Sequence, residues 1–345
     1  MNKFEEALKR TTVSGKDITS EEKEAIKKDV GELLINRREG SRIFEGETEK
    51  TLEQIEIINI AIKLVNEELK KLKIDEKFEF PIEKIHFLPT NVFEERSEET
   101  DGRKRTTKER GITDQEKHEI MVDGSMKKPE LLWTLIHELT HMASYEKYCA
   151  YVNNKPNDNA EEELLEITIK NRIGYQLPEK NGKSYLQGLN EMITEKVSID
   201  IYKKHKHEIK KEINLSRKEI KKIVDSKRSD NYPFETLDLI IEEIARVKKE
   251  KVDDVWKRFE KGLFSGEMMH LRDIERVFGD GALRVLSVLN LVDGYNKNGD
   301  ITKKRNEDKI FRYFITSDKL KRKKIAEEIF SSVEFEKYKK QTKER

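Results

Sequence analysis

The sequence predicts a mainly α protein with a small β-sheet, an α+β fold. Three observations carry that expectation. Apolar residues recur at helical spacing through both ends of the 345-residue chain. Charged residues make up 40% of it and hydrophobic ones 35%, so the core is modest and much helix surface is solvated. Strand signals are confined to a few short apolar runs between residues 82 and 186, each bracketed by proline or turn residues.

Residues 1–75 read as helices. Ser20-Glu21-Glu22-Lys23 combines a capping residue with an acidic first turn, and Ile26, Val30, Leu33 and Leu34 follow on one face. From Glu47 to Leu72, the residues Leu52, Ile55, Ile57, Ile58, Ile60, Ala61, Leu64, Val65 and Leu69 describe a long amphipathic helix, expected to face the core of its own domain, with packing against a partner as the alternative.

Residues 76–213 read as one core. Pro81 and Pro89 bracket a strand, Ile82–Leu88, in which His86 is a strand residue. Phe93–Lys117 is polar, of mixed charge and nearly free of aliphatic residues, and reads as a mobile loop. His118–Val122 is a second strand, closed by Asp123-Gly124-Ser125. A buried helix spans Leu131–Tyr148, with Pro129 in its first turn and Cys149 as a small residue at its end. Glu161–Glu166 is acidic and helical in character. Ile167–Leu177 and Ser184–Leu186 form a hairpin about a Pro/Asn/Gly turn. A helix then runs from Gly188 to about Ile213.

From 214 to 345 the pattern is helical, punctuated by Gly266, Gly279 and Gly281. Gly294–Asn306 reads as an exposed loop, and a Lys-rich helix from about Ser317 ends the chain. No internal repeat is visible.

With 70 basic and 69 acidic residues, a net charge of +1 gives no global attraction to nucleic acid or an anionic membrane. One cysteine excludes an intramolecular disulfide and suits a reducing compartment. The N-terminus lacks the apolar stretch of a signal peptide, and no run of 18 apolar residues is present, so the expectation is a protein without a membrane span that is cytoplasmic or leaves by a route needing no such signal.

The chemistry is concentrated in His137-Glu138-Leu139-Thr140-His141, an H-E-x-x-H. On a helix the two histidines lie one turn apart on one face, placed to grip one metal ion, and Glu138 can reach a water bound to it. The surrounding leucines argue for burial, where unpartnered imidazoles and a carboxylate would be costly. Zinc, Zn2+, is the ion this donor set predicts. A catalytic zinc takes three protein ligands and keeps one open position. Lys147 occupies the position where a metzincin has its third histidine. Glu191 is the favoured third ligand, with Glu195 on the same helix face to fix an imidazole tautomer. Glu161, Glu162, Glu163, Glu166, His205 and His207 are the rivals. The last two sit in KKHKHEIKK, which reads as a solvated charged face.

H-E-x-x-H followed by Asn190-Glu191-x-x-x-Glu195 resembles the gluzincin metallopeptidases, of which thermolysin's catalytic domain is the best known. The resemblance covers residues 118–205 and implies a zincin-like core flanked by helical N- and C-terminal parts. It implies that Glu191 binds zinc and that Glu195 supports a zinc-bound histidine. Two departures stand out. Glu191 follows His141 at a longer distance than in thermolysin, and Glu195 stands where thermolysin-like enzymes have Asp. Gluzincins often supply a Tyr or His to the oxyanion. Tyr185 is the first choice here, with Tyr175, Tyr232 and His270 as alternatives.

The expected function is therefore a zinc-dependent endopeptidase acting on a protein or peptide, which adds as a strand to an exposed sheet edge, His118–Val122 or Ile167–Asn171. A toxin-like effector protease would look the same at the site. A non-enzymatic zinc-binding scaffold is the other class. Intact Glu138 weighs against it, because a purely structural zinc needs no base.

Overall fold

The computed structural model describes residues 3–15, 18–74, 77–101, 110–155, 164–178, 184–230, 234–289 and 301–343. The protein is mainly helical with small mixed sheets, an α+β architecture. Two compact units emerge: Met1–Ile62 with Phe78–Ile173, and Lys63–Lys77 with Gly174–Arg345. The sequence boundaries lie at 75/76 and 213/214. The units divide instead at 173/174, and residues 63–77 group with the later part of the chain.

The first unit opens with α1 (Lys3–Arg10), β1 (Thr11–Gly15) and α2 (Ser20–Arg38). The strand β1 corrects the all-helical expectation for residues 1–75. Helix α2 starts one residue earlier in the logic of its cap. Thr19 accepts from the Glu22 backbone N–H, and the Glu22 carboxylate accepts from the Thr19 N–H, a complete capping box. Next comes α3 (Leu52–Lys71), which starts five residues after the expected Glu47 and ends one before the expected Leu72.

Residues 85–88 form β2 (Ile85–Leu88), after a single 3-10 turn at Ile82–Lys84. The expected loop over 93–117 carries structure at both ends. Its first part belongs to α4 (Thr90–Asp101), and β3 (Gly111–Asp114) lies near its close. Glu94, Glu95 and Arg96 lie on the exposed face of this helix, whose Val92 and Phe93 pack on Leu88, Ile112 and Met121, and 102–109 lie outside the described residues. Strand β4 (Glu119–Asp123) is central in the order β2-β4-β3, parallel to β2 and antiparallel to β3. Both β2 and β4 are buried along their whole length, which explains their unbroken apolar runs. An inner strand has no free edge, so β4 cannot take a substrate strand.

Helix α5 (Lys128–Ala143) packs on β3 and β4. Pro129 stands in its first turn as expected. The helix ends five residues before Tyr148. The Ser144 hydroxyl donates to the Thr140 carbonyl at 2.8 Å, and Ser144 itself is extended. The chain then enters β5 (Glu146–Lys155), so Tyr148 and Cys149 are strand residues. A change of period marks the switch. Ser144, Glu146, Tyr148, Ala150 and Val152 are buried, while the residues between them are half-buried.

Strand β5 pairs with β1 in parallel and with β6 (Leu164–Ile173) antiparallel, from Glu146↔Ile173 to Lys155↔Leu164. Thus Leu164–Glu166 is strand rather than helix, and Ile167–Ile173 pairs backward along the chain instead of forward. Helix α2 covers this sheet with Ile26, Val30 and Leu34, which pack on Tyr148, Ala150 and Val152. Beneath them Glu146 is buried and accepts from Arg38, Tyr148 and Asn171. Burial alone would push its carboxyl up, but Arg38 and these hydrogen bonds hold it below the ordinary range.

The second unit begins with the C-terminal part of α3 and residues to 77. Its only strand pair among the described residues is β7 (Leu177–Pro178) with β8 (Ser184–Tyr185), the remnant of the expected hairpin. Helices follow: α6 (Gln187–Lys204), α7 (Lys206–Ile213), α8 (Arg217–Asp230), α9 (Phe234–Lys248) and α10 (Val252–Ser265). Then come α11 (Arg272–Phe278), α12 (Ala282–Ser287), α13 (Ile301–Ile315) and α14 (Lys319–Lys343). The helix expected up to Ile213 is broken at His205, and 301–306 belong to α13 rather than to a loop.

Helix α6 is the centre of this unit. It packs against α8, α9, α10 and α12, so residues on most of its circumference are buried. Among them are the polar residues Asn190, Thr194, Glu195 and Ser198, which must find partners. Ser198 donates to the Thr194 carbonyl, and the Asn190 side chain accepts from the Tyr175 backbone N–H at 3.0 Å. Among the described residues no helix is long and apolar enough to cross a membrane.

Candidate metal centre

In the first unit, α5 brings three predicted residues together. The Nε2 atoms of His137 and His141 lie 3.1 Å apart, one turn from each other. The rings meet edge to face, with centroids 4.8 Å apart. Two nitrogens bound to one tetrahedral zinc at 2.0–2.1 Å stand about 3.3 Å from each other. The imidazoles therefore already have ligand spacing. They hold it on a helix whose Leu132, Leu135, Ile136 and Leu139 are fully buried.

Glu138 faces β3. It is 7% exposed, and its Oε2 accepts from the Thr113 hydroxyl at 2.5 Å. A charge-assisted bond of this kind fixes the carboxylate's direction. Gly111, two residues earlier on the same face of β3, lets the strand approach. A Cβ there would fall 2.5 Å from Thr134 Cγ2 and 2.7 Å from Glu138 Oε1. Beyond β3, Gln115 donates to the His141 backbone carbonyl at 3.1 Å and so holds the last turn of α5. Gly111, Thr113 and Gln115 were not singled out in the sequence. They lie in the stretch that read as a polar loop, and no motif marks them.

Glu191 and Glu195 belong to the second unit, on α6, four residues apart and so on one face. Glu191 is half-buried and Glu195 is 3% exposed. The helix starts at Gln187, after Leu186 in a left-handed conformation, so Asn190 is not its cap. Its side chain instead closes the turn at Gly174-Tyr175, where Gly174 has φ +51°.

The oxyanion residues separate. Tyr185 is half-buried on β8. Tyr175 is fully buried and bonded to the Phe259 carbonyl and to His270 Nε2, at 2.7 and 2.6 Å. Burial lowers His270 to a pKa of about 4, so at neutral pH its ring is uncharged; the phenol's one hydrogen goes to the Phe259 carbonyl, and the His270 Nε2–H donates to the phenol oxygen. Both are thereby committed to the interior of their own unit. Tyr232, Glu161, Glu162 and Glu163 lie outside the described residues. His86 is buried and bonded through Nδ1 to Glu47 at 2.9 Å, consistent with a strand residue. His207 is exposed, but His205 is only 11% exposed and is not part of a solvated face.

No family model, no curated protein and no solved structure matches this chain.

Proposed function

We propose that this protein is a zinc-dependent metalloendopeptidase that hydrolyses peptide bonds of a protein or peptide substrate. The observation that carries the reading is the imidazole pair at 3.1 Å, His137 half-buried and His141 buried, with the Glu138 carboxylate of the same helix fixed by Thr113. His137, His141 and Glu191 would hold the ion, each offering one ligand atom. Two imidazole nitrogens and one carboxylate oxygen are a donor set of catalytic zinc, and three ligands leave a position open. When bound, zinc supplies Lewis-acid chemistry, activating a water and polarising the scissile carbonyl.

Glu138 is then the general base. Its carboxylate takes a proton from the attacking water as the new C–O bond forms. The same proton passes to the leaving amine nitrogen as the C–N bond breaks. Such a base is worth roughly 10² to 10⁴ in rate. Thr113 keeps the carboxylate in one orientation, and Gln115 steadies the turn that carries His141. In this reading Glu195 would accept an outer imidazole N–H, and Tyr185 would donate to the developing oxyanion. Ile167–Asn171, within the end strand β6, is the surviving choice for a docking edge.

The test compares wild type with Glu138→Ala and His141→Ala for zinc content and for cleavage of a broad peptide library. The reading expects Glu138→Ala to keep zinc and lose cleavage, and His141→Ala to lose both. Glu191→Gln should weaken zinc binding at least tenfold. Equal cleavage by wild type and Glu138→Ala removes the mechanism. Zinc without any turnover points to the scaffold class.

A further inference from the structure

A second cluster of ligand-type side chains lies wholly within the second unit and shares no residue with the first. His205 is the one residue between α6 and α7, with φ −93° and ψ 13°, and it closes one helix while opening the next. Its Nδ1 lies 3.1 Å from Glu208 Oε2, one turn along α7, and 3.3 Å from Glu67 Oε2 on α3. One ligand atom from each of the three falls within 4.8 Å of the others. Donors around an ion at about 2.1 Å stand roughly 3.0 to 3.4 Å apart, in octahedral or tetrahedral order. The two measured separations lie in that interval.

An ion pair with a protonated imidazole is the competing account. It would distribute two carboxylates over the two ring N–H groups, because one N–H is directed at one acceptor. Here both carboxylates converge on the same nitrogen, while the buried Nε2 makes no hydrogen bond among the described residues. A lone pair aimed at one ion that both carboxylates also hold accounts for this convergence. The surrounding charge agrees. Lys63 bonds Glu208 and Glu212 through their Oε1 atoms, leaving Glu208 Oε2 turned to the imidazole. Glu67 and Glu208 bring two carboxylates to the one ring nitrogen, and the Lys63 ammonium bonds Glu208 on its other oxygen. An imidazole among the donors selects zinc or its transition-metal neighbours over magnesium and calcium.

We propose that Glu67, His205 and Glu208 bind a divalent transition-metal ion, zinc first, which clamps α3 to the α6–α7 junction. The ion ties residues 63–77, remote in sequence, to the body of their unit. A ligand held only by the folded chain raises its melting temperature.

The experiment is a zinc titration of chelator-stripped full-length protein carrying His137→Ala and His141→Ala, which isolates this cluster from the first. The expected result is uptake of one zinc per chain, with a rise in melting temperature. Adding Glu67→Gln or His205→Ala weakens that uptake at least tenfold, and Glu212→Gln changes it less than threefold. In the wild-type background, Glu67→Gln, an isosteric change at a half-exposed side chain, lowers the zinc count by one and keeps the fold. No zinc uptake by the His137→Ala/His141→Ala chain overturns the proposal. Uptake indifferent to Glu67→Gln and His205→Ala does so too. Neither outcome bears on cleavage by the first site.

Discussion

Gly111→Ala tests how β3 seats the base. The added methyl would stand 2.5 Å from Thr134 Cγ2, 2.7 Å from Glu138 Oε1 and 2.9 Å from Glu138 Cγ. Carbon atoms in contact prefer about 3.5 to 4.0 Å, so roughly 1 Å must be found. Thr134 is β-branched and stiff, and Glu138 meets the methyl with its Cγ as well as its Oε1, so swinging the carboxylate aside does not relieve the clash. The strand and α5 therefore have to part. Overpacking of this kind costs about 1–3 kcal/mol. At about 2–4 °C per kcal/mol, differential scanning fluorimetry should show a fall of roughly 2 to 12 °C. A 1 Å displacement of the base should also cut kcat/KM by about 10²-fold. Thr113→Val separates the two effects. It keeps the volume but removes the hydroxyl that Glu138 accepts from, a bond to a charged group worth about 1.5–3 kcal/mol. Thr134→Ser, which deletes the nearest methyl, should restore part of the stability of Gly111→Ala. Should Gly111→Ala melt within a degree of wild type with unchanged kcat/KM, β3 does not seat the base and the reasoning is wrong.

Three further outcomes follow from other parts of the chain. Arg38→Met alone removes the nearer cation of the buried Glu146 carboxylate, leaving Arg10 at 3.8 Å, and should cost up to about 3–5 kcal/mol in urea melts, while Arg38→Met/Glu146→Leu recovers most of it; equal losses in single and double variants contradict this. Asn190→Ala strands the buried Tyr175 N–H at about 1–3 kcal/mol. Gly174→Ala would push a Cβ within 2.5 Å of Asn190 Oδ1, so a double-mutant cycle should show the two changes to be coupled, and strict additivity counts against that contact. Finally, burial and then the neighbouring Glu68 charge raise the Glu260 carboxyl from 4.5 to about 8, with Lys71 opposing and Asp200 adding to the rise. Between those values the native chain keeps a proton that the unfolded chain has released. Stability therefore falls as pH rises through that window and levels off above it. Glu260→Gln should flatten the fall measured between pH 5 and 9, and identical slopes would refute it.

The helix with its H-E-x-x-H was legible because burial, period and chemistry agree within one stretch, from Leu131 to Met142. Its end was not. Leu131–Tyr148 has apolar residues enough for another turn, and only the alternation from Ser144 to Val152 reveals the strand. That alternation acquires meaning once β6 supplies a partner ten residues long. Pairing between distant segments leaves no local trace, which is also why β1 went unseen among its helical neighbours. Glu138 could be named from the motif, but Thr113 and Gly111 could not. A hydroxyl and a glycine in a charged stretch are ordinary until a helix is laid across them. His205 shows the reverse error. Lysines on both sides suggested a wet surface, yet the break between α6 and α7 turns that one ring inward.

The four residues of β3 leave no slack. Ile112 fills the hydrophobic cluster with Phe93 and Met121, Asp114 pairs with Arg42, and Gly111 and Thr113 face Glu138. Inserting or deleting one residue there would exchange the two sides of the strand. A greasy isoleucine and an acid would then confront the base, and a threonine would be forced into oil. Point substitutions can drift at such a place, but changes of length cannot. Sequences descended from this one should carry their gaps elsewhere.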